Sequence, residues 1–180
     1  MSSFNERMPS PVSEEIVFQT DWFQVRKENY EASSYYTVDG GDGCFIIPLT
    51  TEGEVVLVRQ FRPSLRAYTL EMPAGSIDKG ENPVDSARRE LLEETGYIAK
   101  SCELIGTGHM MMNRFSGKMF GYLASGCSKQ GLPDQSEAID VVLMPWEQFL
   151  SSVMDGQFSQ MGGLGFIYLA KLKNMLPSFI

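Results

Sequence analysis

Short runs rich in β-branched and aromatic residues fill the first third of this chain, at residues 16–18, 22–27, 35–38, 44–49 and 54–59. Turn residues part them, as in Asp39-Gly40-Gly41-Asp42-Gly43 and Thr51-Glu52-Gly53, so each run is an expected strand. The stretch Val55-Val56-Leu57-Val58 is continuously apolar, the pattern of a strand covered on both faces. Asn82-Pro83 then opens a helix over 83–95. Asparagine caps it, proline suits the first helical position, Asp85 complements the N-terminal dipole, and Gly96 stands where the helix should stop. Further on, the pattern predicts strands at 102–106, 119–124 and 138–144, a short helix over 146–154 after Pro145, and a closing helix over 164–176. Residues 1–13 are polar and proline-containing and read as a flexible N-terminal arm. No internal repeat interrupts this order, so the expected fold is α/β (α+β), a mixed sheet with helices packed on it.

Composition narrows what such a fold can do. A chain of 180 residues that is 43% hydrophobic can bury one real core, so one active site is expected. Its formal charge of −8 argues against a surface that tracks a nucleic-acid backbone, which would need clustered Lys and Arg. Any phosphate-bearing ligand must then be drawn by local charge. Cys44, Cys102 and Cys127 are scattered and show no CxxC spacing, so reduced thiols are expected rather than a zinc site or a disulfide framework. Glu6, Arg7, Pro9 and Pro11 stand where a secretory leader would need an apolar run, and no stretch approaches membrane-spanning length. The expectation is a soluble cytoplasmic protein with neither membrane nor nucleic acid as partner. His109 is the only histidine and no GxSxG motif accompanies it, so nothing supports a Ser-His or Cys-His nucleophile.

Chemistry concentrates on the 83–95 helix. At about 100° per residue, Val84, Ala87, Leu91 and Thr95 share one arc while Glu90, Glu93 and Glu94 lie on the neighbouring one. Like charges at these spacings each cost a helix roughly 0.2–0.5 kcal/mol, a cost that a cation would relieve. Hard divalent ions such as Mg²⁺ take oxygen ligands and bridge to phosphate oxygens, which suits carboxylates on one rigid face. An ordinary solvated helix face would carry the same run, so the frame around it decides. From Gly75, five residues lead to Glu81 and seven more to Arg89-Glu90-Leu91, followed after single-residue gaps by Glu93-Glu94 and Gly96-Tyr97. This resembles the signature box of the Nudix hydrolases at every fixed position but the last, where Tyr97 replaces an aliphatic residue and its amphipathic ring can fill an apolar slot.

The resemblance implies an α/β/α sandwich around a mixed sheet, a Nudix hydrolase domain over 44–180, preceded by N-terminal strands over 14–43. It implies a hydrolase working with Mg²⁺, or Mn²⁺ in its stead. Glu90 and Glu94 match the principal metal-binding glutamates, with Glu93 beside them. Arg89 matches the arginine that orients a glutamate of the same box, Gly75 a loop glycine needed for backbone shape, and Glu81 a structural residue or an outer ligand. Upstream, Val56-Leu57-Val58-Arg59-Gln60-Phe61-Arg62-Pro63 and Leu70-Glu71-Met72-Pro73-Ala74-Gly75 are similar to the ADP-ribose and nucleoside diphosphate sugar pyrophosphatase branch.

That branch implies cleavage of a nucleoside diphosphate sugar to a nucleoside monophosphate and a sugar phosphate. It makes the Ala74 carbonyl a metal ligand and brings Glu71 to the site. It sets Arg59 and Arg62 on phosphate, where a planar guanidinium can make two hydrogen bonds at once. It also implies a homodimer exchanging its N-terminal strands, with Trp22, Phe23 or Tyr30 over the base. One departure is visible: the proline that ADP-ribose-specific members carry past the box is absent from residues 110–117, which favours another, or a broader, nucleoside diphosphate sugar preference. Arg114 and Lys118 are candidates there for the distal phosphate or sugar. The general base is expected from residues 132–140, with Glu137 first and Asp134 behind it. Gln135 cannot take a proton, which keeps Glu93 as the other choice. Two alternatives stay open: a catalytically weak nucleotide-sugar sensor, and a pyrophosphatase that clears nucleoside triphosphates.

Overall fold

The computed structural model describes residues 9–134 and 139–176. The chain divides into two compact units, one running to Gly41 and taking in His109–Gly117, the other made of Asp42–Gly108 and the chain from Lys118 onward.

The first unit is a three-stranded antiparallel sheet in the order β1 (Ser13–Gln19), β2 (Gln24–Asn29), β3 (Ser34–Asp39). The expected run at 22–27 is corrected at its start. The Thr20 hydroxyl accepts from the Trp22 and Phe23 amides at 3.2 and 3.1 Å, closing a turn, so pairing begins only at Gln24. The 109–117 loop belongs here because the Val38 amide donates to the Arg114 carbonyl at 2.7 Å and the Ser116 amide to the Val38 carbonyl at 3.2 Å. Ile16, Phe18, Tyr35 and Tyr36 remain exposed on this sheet.

The second unit is a mixed sheet. Its main path runs β11 (Ile139–Pro145), β5 (Glu54–Arg62), β4 (Gly43–Thr50), β10 (Met119–Lys129), β8 (Tyr97–Ile98). To this path β6 (Ala67–Glu71) adds on β5, β7 (Ala74–Ser76) on β4, and β9 (Ser101–Gly108) on β10. The pairing of β4 with β10 is parallel and the others are antiparallel. Strand β4 and the 55–58 stretch of β5 are covered on both faces, as that apolar run predicts. Alternation sorts their side chains: Phe45, Ile47, Leu49, Val55 and Leu57 join Phe149 and Phe166 in one core, while Cys44, Ile46 and Val56 join Ala87, Leu91 and Tyr97 in the other. Helices α2 (Trp146–Met154) and α3 (Met161–Leu172) therefore cover one face and α1 (Pro83–Thr95) the other, the expected three-layer sandwich.

Three strands escape the pattern because they are short and rest on tertiary pairing: β6, β7 and β8. The closing helix also starts one turn earlier than 164 and ends at Leu172, where Asn174 adopts a left-handed φ of 53°. Gly163, outside the expected span, is buried in the helix, and a side chain there would meet Gln160 Oε1 at 2.8 Å.

Candidate active site

Helix α1 forms as its ends dictate. Asn82 Oδ1 accepts from the Val84 amide at 3.2 Å, and Gly96 closes the helix at a left-handed φ of 73°, its amide bonded to the Leu92 carbonyl. The buried face holds Ser86, Ala87, Leu91, Thr95 and also Glu94. The arc that leaves all three glutamates beside the apolar seam is thus corrected: Glu94 lies within the seam and is 5% exposed, whereas the Glu93 side chain is 47% exposed. Tyr97 is buried in the α1-side core, in the slot of an aliphatic residue, and burial pushes its phenol up.

Strand β7 brings the preceding loop under this helix. Gly75 stands opposite Cys44 and Ala74 opposite Phe45, and the Ala74 amide donates to Glu94 Oε2 at 3.0 Å. A Cβ on Gly75 would lie 2.0–2.2 Å from the Glu90 carboxylate. Gly75 is therefore needed for close approach rather than for backbone shape, since its φ is not in the left-handed region. Burial pushes the thiol of Cys44, beside this loop, up to about 12. Cys44, Cys102 and Cys127 are all free.

Arg89 ties the box together. Its Nε and Nη2 both donate to the Glu81 carboxylate at 3.1 Å, its Nη1 to Glu90 Oε1 at 2.8 Å and Glu93 Oε2 at 3.0 Å, and its Nη2 to the Ser76 carbonyl at 3.0 Å. Part of the like-charge cost on α1 is thus relieved by the chain itself. The Arg89 hydrogen bonds, with help from Ser86, hold the Glu81 carboxyl down at about 2. A folded value below the ordinary 4.5 contributes stability that is present above that value and is lost as pH falls toward about 2. Glu81→Gln is accordingly expected to melt lower than the parent at pH 6, with the difference shrinking below pH 4.5. A difference that stays constant through the acid range would refute this.

The two arginines of the segment before the box separate, because positions of opposite parity on β5 face opposite sides of the sheet. Arg62 Nε and Nη2 grip Glu71 at 2.7 and 2.6 Å. Burial works to raise the Glu71 carboxyl, but hydrogen bonds from Arg62, Thr69 and Gln160 outweigh it and hold it below the ordinary range. Arg59 instead stacks 4.3 Å from the Tyr68 ring centroid and pairs with Asp140 at 3.3 Å. Trp22, Phe23, Tyr30 and Arg114 belong to the first unit, where Trp22 is 81% exposed in its turn, Tyr30 donates to Glu28 and Arg114 Nη1 donates to the Asn113 carbonyl. The Lys118 amide donates to Asp42. The His109 ring contacts only the Gly117 carbonyl among the hydrogen bonds of the described residues. Asp134 is tied to α1 by its amide, which donates to the Glu93 carbonyl at 2.7 Å. Glu137, with Gln135, lies outside the described residues.

Sequence reasoning passed over Gln160. Its Oε1 accepts from the Met72 amide at 3.0 Å and its Nε2 donates to Glu71 Oε2 at 3.2 Å. No motif marks it; the only signal is that it precedes a helix start disguised by glycines.

Among the described residues, no three His, Cys, Asp or Glu side chains converge as a ready metal cage. The available donors are two largely buried carboxylates, Glu90 and Glu94, beside the main chain of Ala74. An all-oxygen set with so few protein ligands suits Mg²⁺, which keeps its waters and takes phosphate oxygens.

The model of the NUDIX domain matches residues 41–160. The chain is 42% identical over 76 residues to an ADP-ribose pyrophosphatase of Bacillus subtilis (strain 168), covering 42% of this chain. It is 37% identical over 107 residues to an ADP-sugar pyrophosphatase of Mus musculus, covering 51%. These alignments span 41% and 49% of the two relatives' own lengths. A crystal structure of an ADP compounds hydrolase superposes with a TM-score of 0.78 at 22% identity, covering 94% of this chain and 96% of that one, which shows the fold. No helix among the described residues is long and apolar enough to cross a membrane.

Proposed function

This chain belongs to the NUDIX family, and from that premise we propose that it hydrolyses the diphosphate linkage of ADP-ribose-like nucleoside diphosphate sugars, using a divalent cation, Mg²⁺ or Mn²⁺. The observation that carries the reading is the inward pair Glu90 and Glu94, one braced by Arg89 and packed on Gly75, the other receiving the Ala74 amide. Glu90, Glu94 and the Ala74 carbonyl are the proposed ligands, with Glu93 at the margin. A bound ion would neutralise phosphate charge and acidify a water. The names of the relatives favour an ADP-linked sugar as substrate.

The chain's own groups divide the remaining work. Arg89 keeps Glu90 oriented, which removes conformational freedom before substrate arrives. Arg62, held by Glu71, and Arg59, held by Tyr68 and Asp140, are the proposed phosphate and substrate contacts, and Arg114 and Trp22 are proposed as substrate-binding residues too. Both Glu71 oxygens are taken up by donors that hold its carboxyl below the ordinary range, which makes it a weak proton acceptor in this reading. Glu137 is the proposed general base. Glu137→Gln should lower turnover by about a hundredfold or more with little change in KM, the usual scale of general-base contributions. A variant keeping most of its turnover would shift the assignment to Glu93 or Asp134.

Exposed apolar residues on the three-stranded sheet, Ile16, Phe18, Tyr35 and Tyr36 among them, support a homodimer, to be checked by light scattering. A cytoplasmic location goes with the reduced thiols. The deciding experiment is a panel of ADP-ribose, other ADP-sugars and GDP-mannose with added phosphatase, and of nucleoside triphosphates without it, each with and without Mg²⁺. Mg²⁺-dependent phosphate release from the nucleotide sugars is expected. No turnover on any of them would leave a sensor, and pyrophosphate from triphosphates alone would mean a pool-clearing enzyme.

A further inference from the structure

Gln160 reaches the segment 71–74 from the far end of the unit. After α2, Gly156 turns the chain at a φ of 74°, and Phe158 buries itself and bridges Leu70 of β6. Two residues later the Gln160 amide lies over this strand and takes hold of consecutive residues: its carbonyl oxygen accepts from the Met72 amide and its nitrogen donates to the Glu71 carboxylate. The next residues are held in turn, Pro73 through its carbonyl by the Ile46 amide at 2.9 Å and Ala74 through its amide by Glu94 at 3.0 Å. Gln160 before α3, Ile46 of β4 and Glu94 of α1 thus hold this segment from three sides, and at Met72 the only side chain bonded to the main chain is that of Gln160 among the hydrogen bonds of the described residues.

We propose that Gln160 is a positioning residue of the ion site: by clamping Glu71 and Met72 it sets the path of the chain into Ala74, and so the direction of the Ala74 carbonyl against Glu94. The proposal rests on the functional reading above, in which Ala74 and Glu94 share an ion. It gives the N-terminus of α3 a part in the chemistry although no α3 side chain is proposed as an ion ligand. A Cβ at position 163 would lie 2.8 Å from Gln160 Oε1, so Gly163 leaves the room that this side chain occupies.

The test is Mn²⁺ binding followed by electron paramagnetic resonance on the parent, Gln160→Leu and Gln160→Glu, with melting temperature as the control. Gln160→Leu removes both hydrogen bonds at similar size. Gln160→Glu keeps the acceptor for Met72 and turns the donor to Glu71 into a repelling carboxylate, and it carries the test if the leucine variant melts too low. Both should weaken Mn²⁺ binding by about tenfold to a hundredfold, the scale of lost supporting hydrogen bonds at metal sites. Hydrolysis should recover when Mg²⁺ is raised, a shift in the metal requirement rather than in kcat. If the parent binds Mn²⁺ and hydrolyses ADP-ribose while folded variants bind Mn²⁺ as tightly, the role of Gln160 is overturned and the functional reading stands. A parent that neither binds Mn²⁺ nor hydrolyses a nucleotide sugar overturns both.

Discussion

Glu94→Gln is expected to lower turnover about a thousandfold, the loss of roughly 4 kcal/mol that one charged ion ligand accounts for, with the fold retained. The substitution keeps volume, and the new amide oxygen can still accept from the Ala74 amide that now donates to Glu94 at 3.0 Å. What disappears is the negative charge, at a position only 5% exposed. Without an ion, a buried carboxylate one helical turn from Glu90 is a cost, so the metal-free variant should melt at the same temperature or higher. The melting rise produced by Mg²⁺ should vanish, because stabilisation by a ligand follows its affinity for the folded state. Loss of stability together with loss of activity would show Glu94 to be a packing residue; turnover above a tenth of the parent would remove it from the proposed site.

Gly75→Ala should lower turnover several hundredfold, equivalent to about 3–4 kcal/mol, although it replaces no proposed ligand side chain. The added methyl would sit 2.0–2.2 Å from the Glu90 carboxylate, so that carboxylate must leave its place. Because the obstructing atoms are the end of a flexible side chain, the fold can accommodate the change, and the melting temperature should move little. Displacement of a reacting or ligating group by about 1 Å is enough for losses on the order of a hundredfold, and here Glu90 would also lose its bond to Arg89. Wild-type turnover in this variant would mean that the position of Glu90 does not matter to catalysis. Raised Mg²⁺ should not restore it, which separates it from the Gln160 variants.

Local chemistry was legible from residue order alone. Asn82, Pro83 and Gly96 bound α1 as read, because capping depends on neighbours in sequence and not on the rest of the fold. Strand β4 and the 55–58 stretch of β5, covered on both faces, announced themselves by their apolar runs. Less legible was the depth of each glutamate on α1. A helical wheel gives relative angles, but which angle meets the sheet depends on how Ala87 and Leu91 seat against Cys44, Ile46 and Val56. That seating took Glu94 inside and left Glu93 half exposed.

What the amino-acid order determined by itself is the carboxylate-bearing helix, its boundaries, and the identity of the groups offered to an ion and a diphosphate, since these follow from spacing along one element. Tertiary structure alone decided the rest. It gave Arg62 to Glu71 and Arg59 to Asp140, made Gly75 a matter of clearance from Glu90, and brought Gln160 to Glu71 and Met72 across 89 and 88 positions of chain. Such contacts join residues whose separation in sequence carries no periodic signal, so they exist only once the sheet and its two helical layers have closed around them.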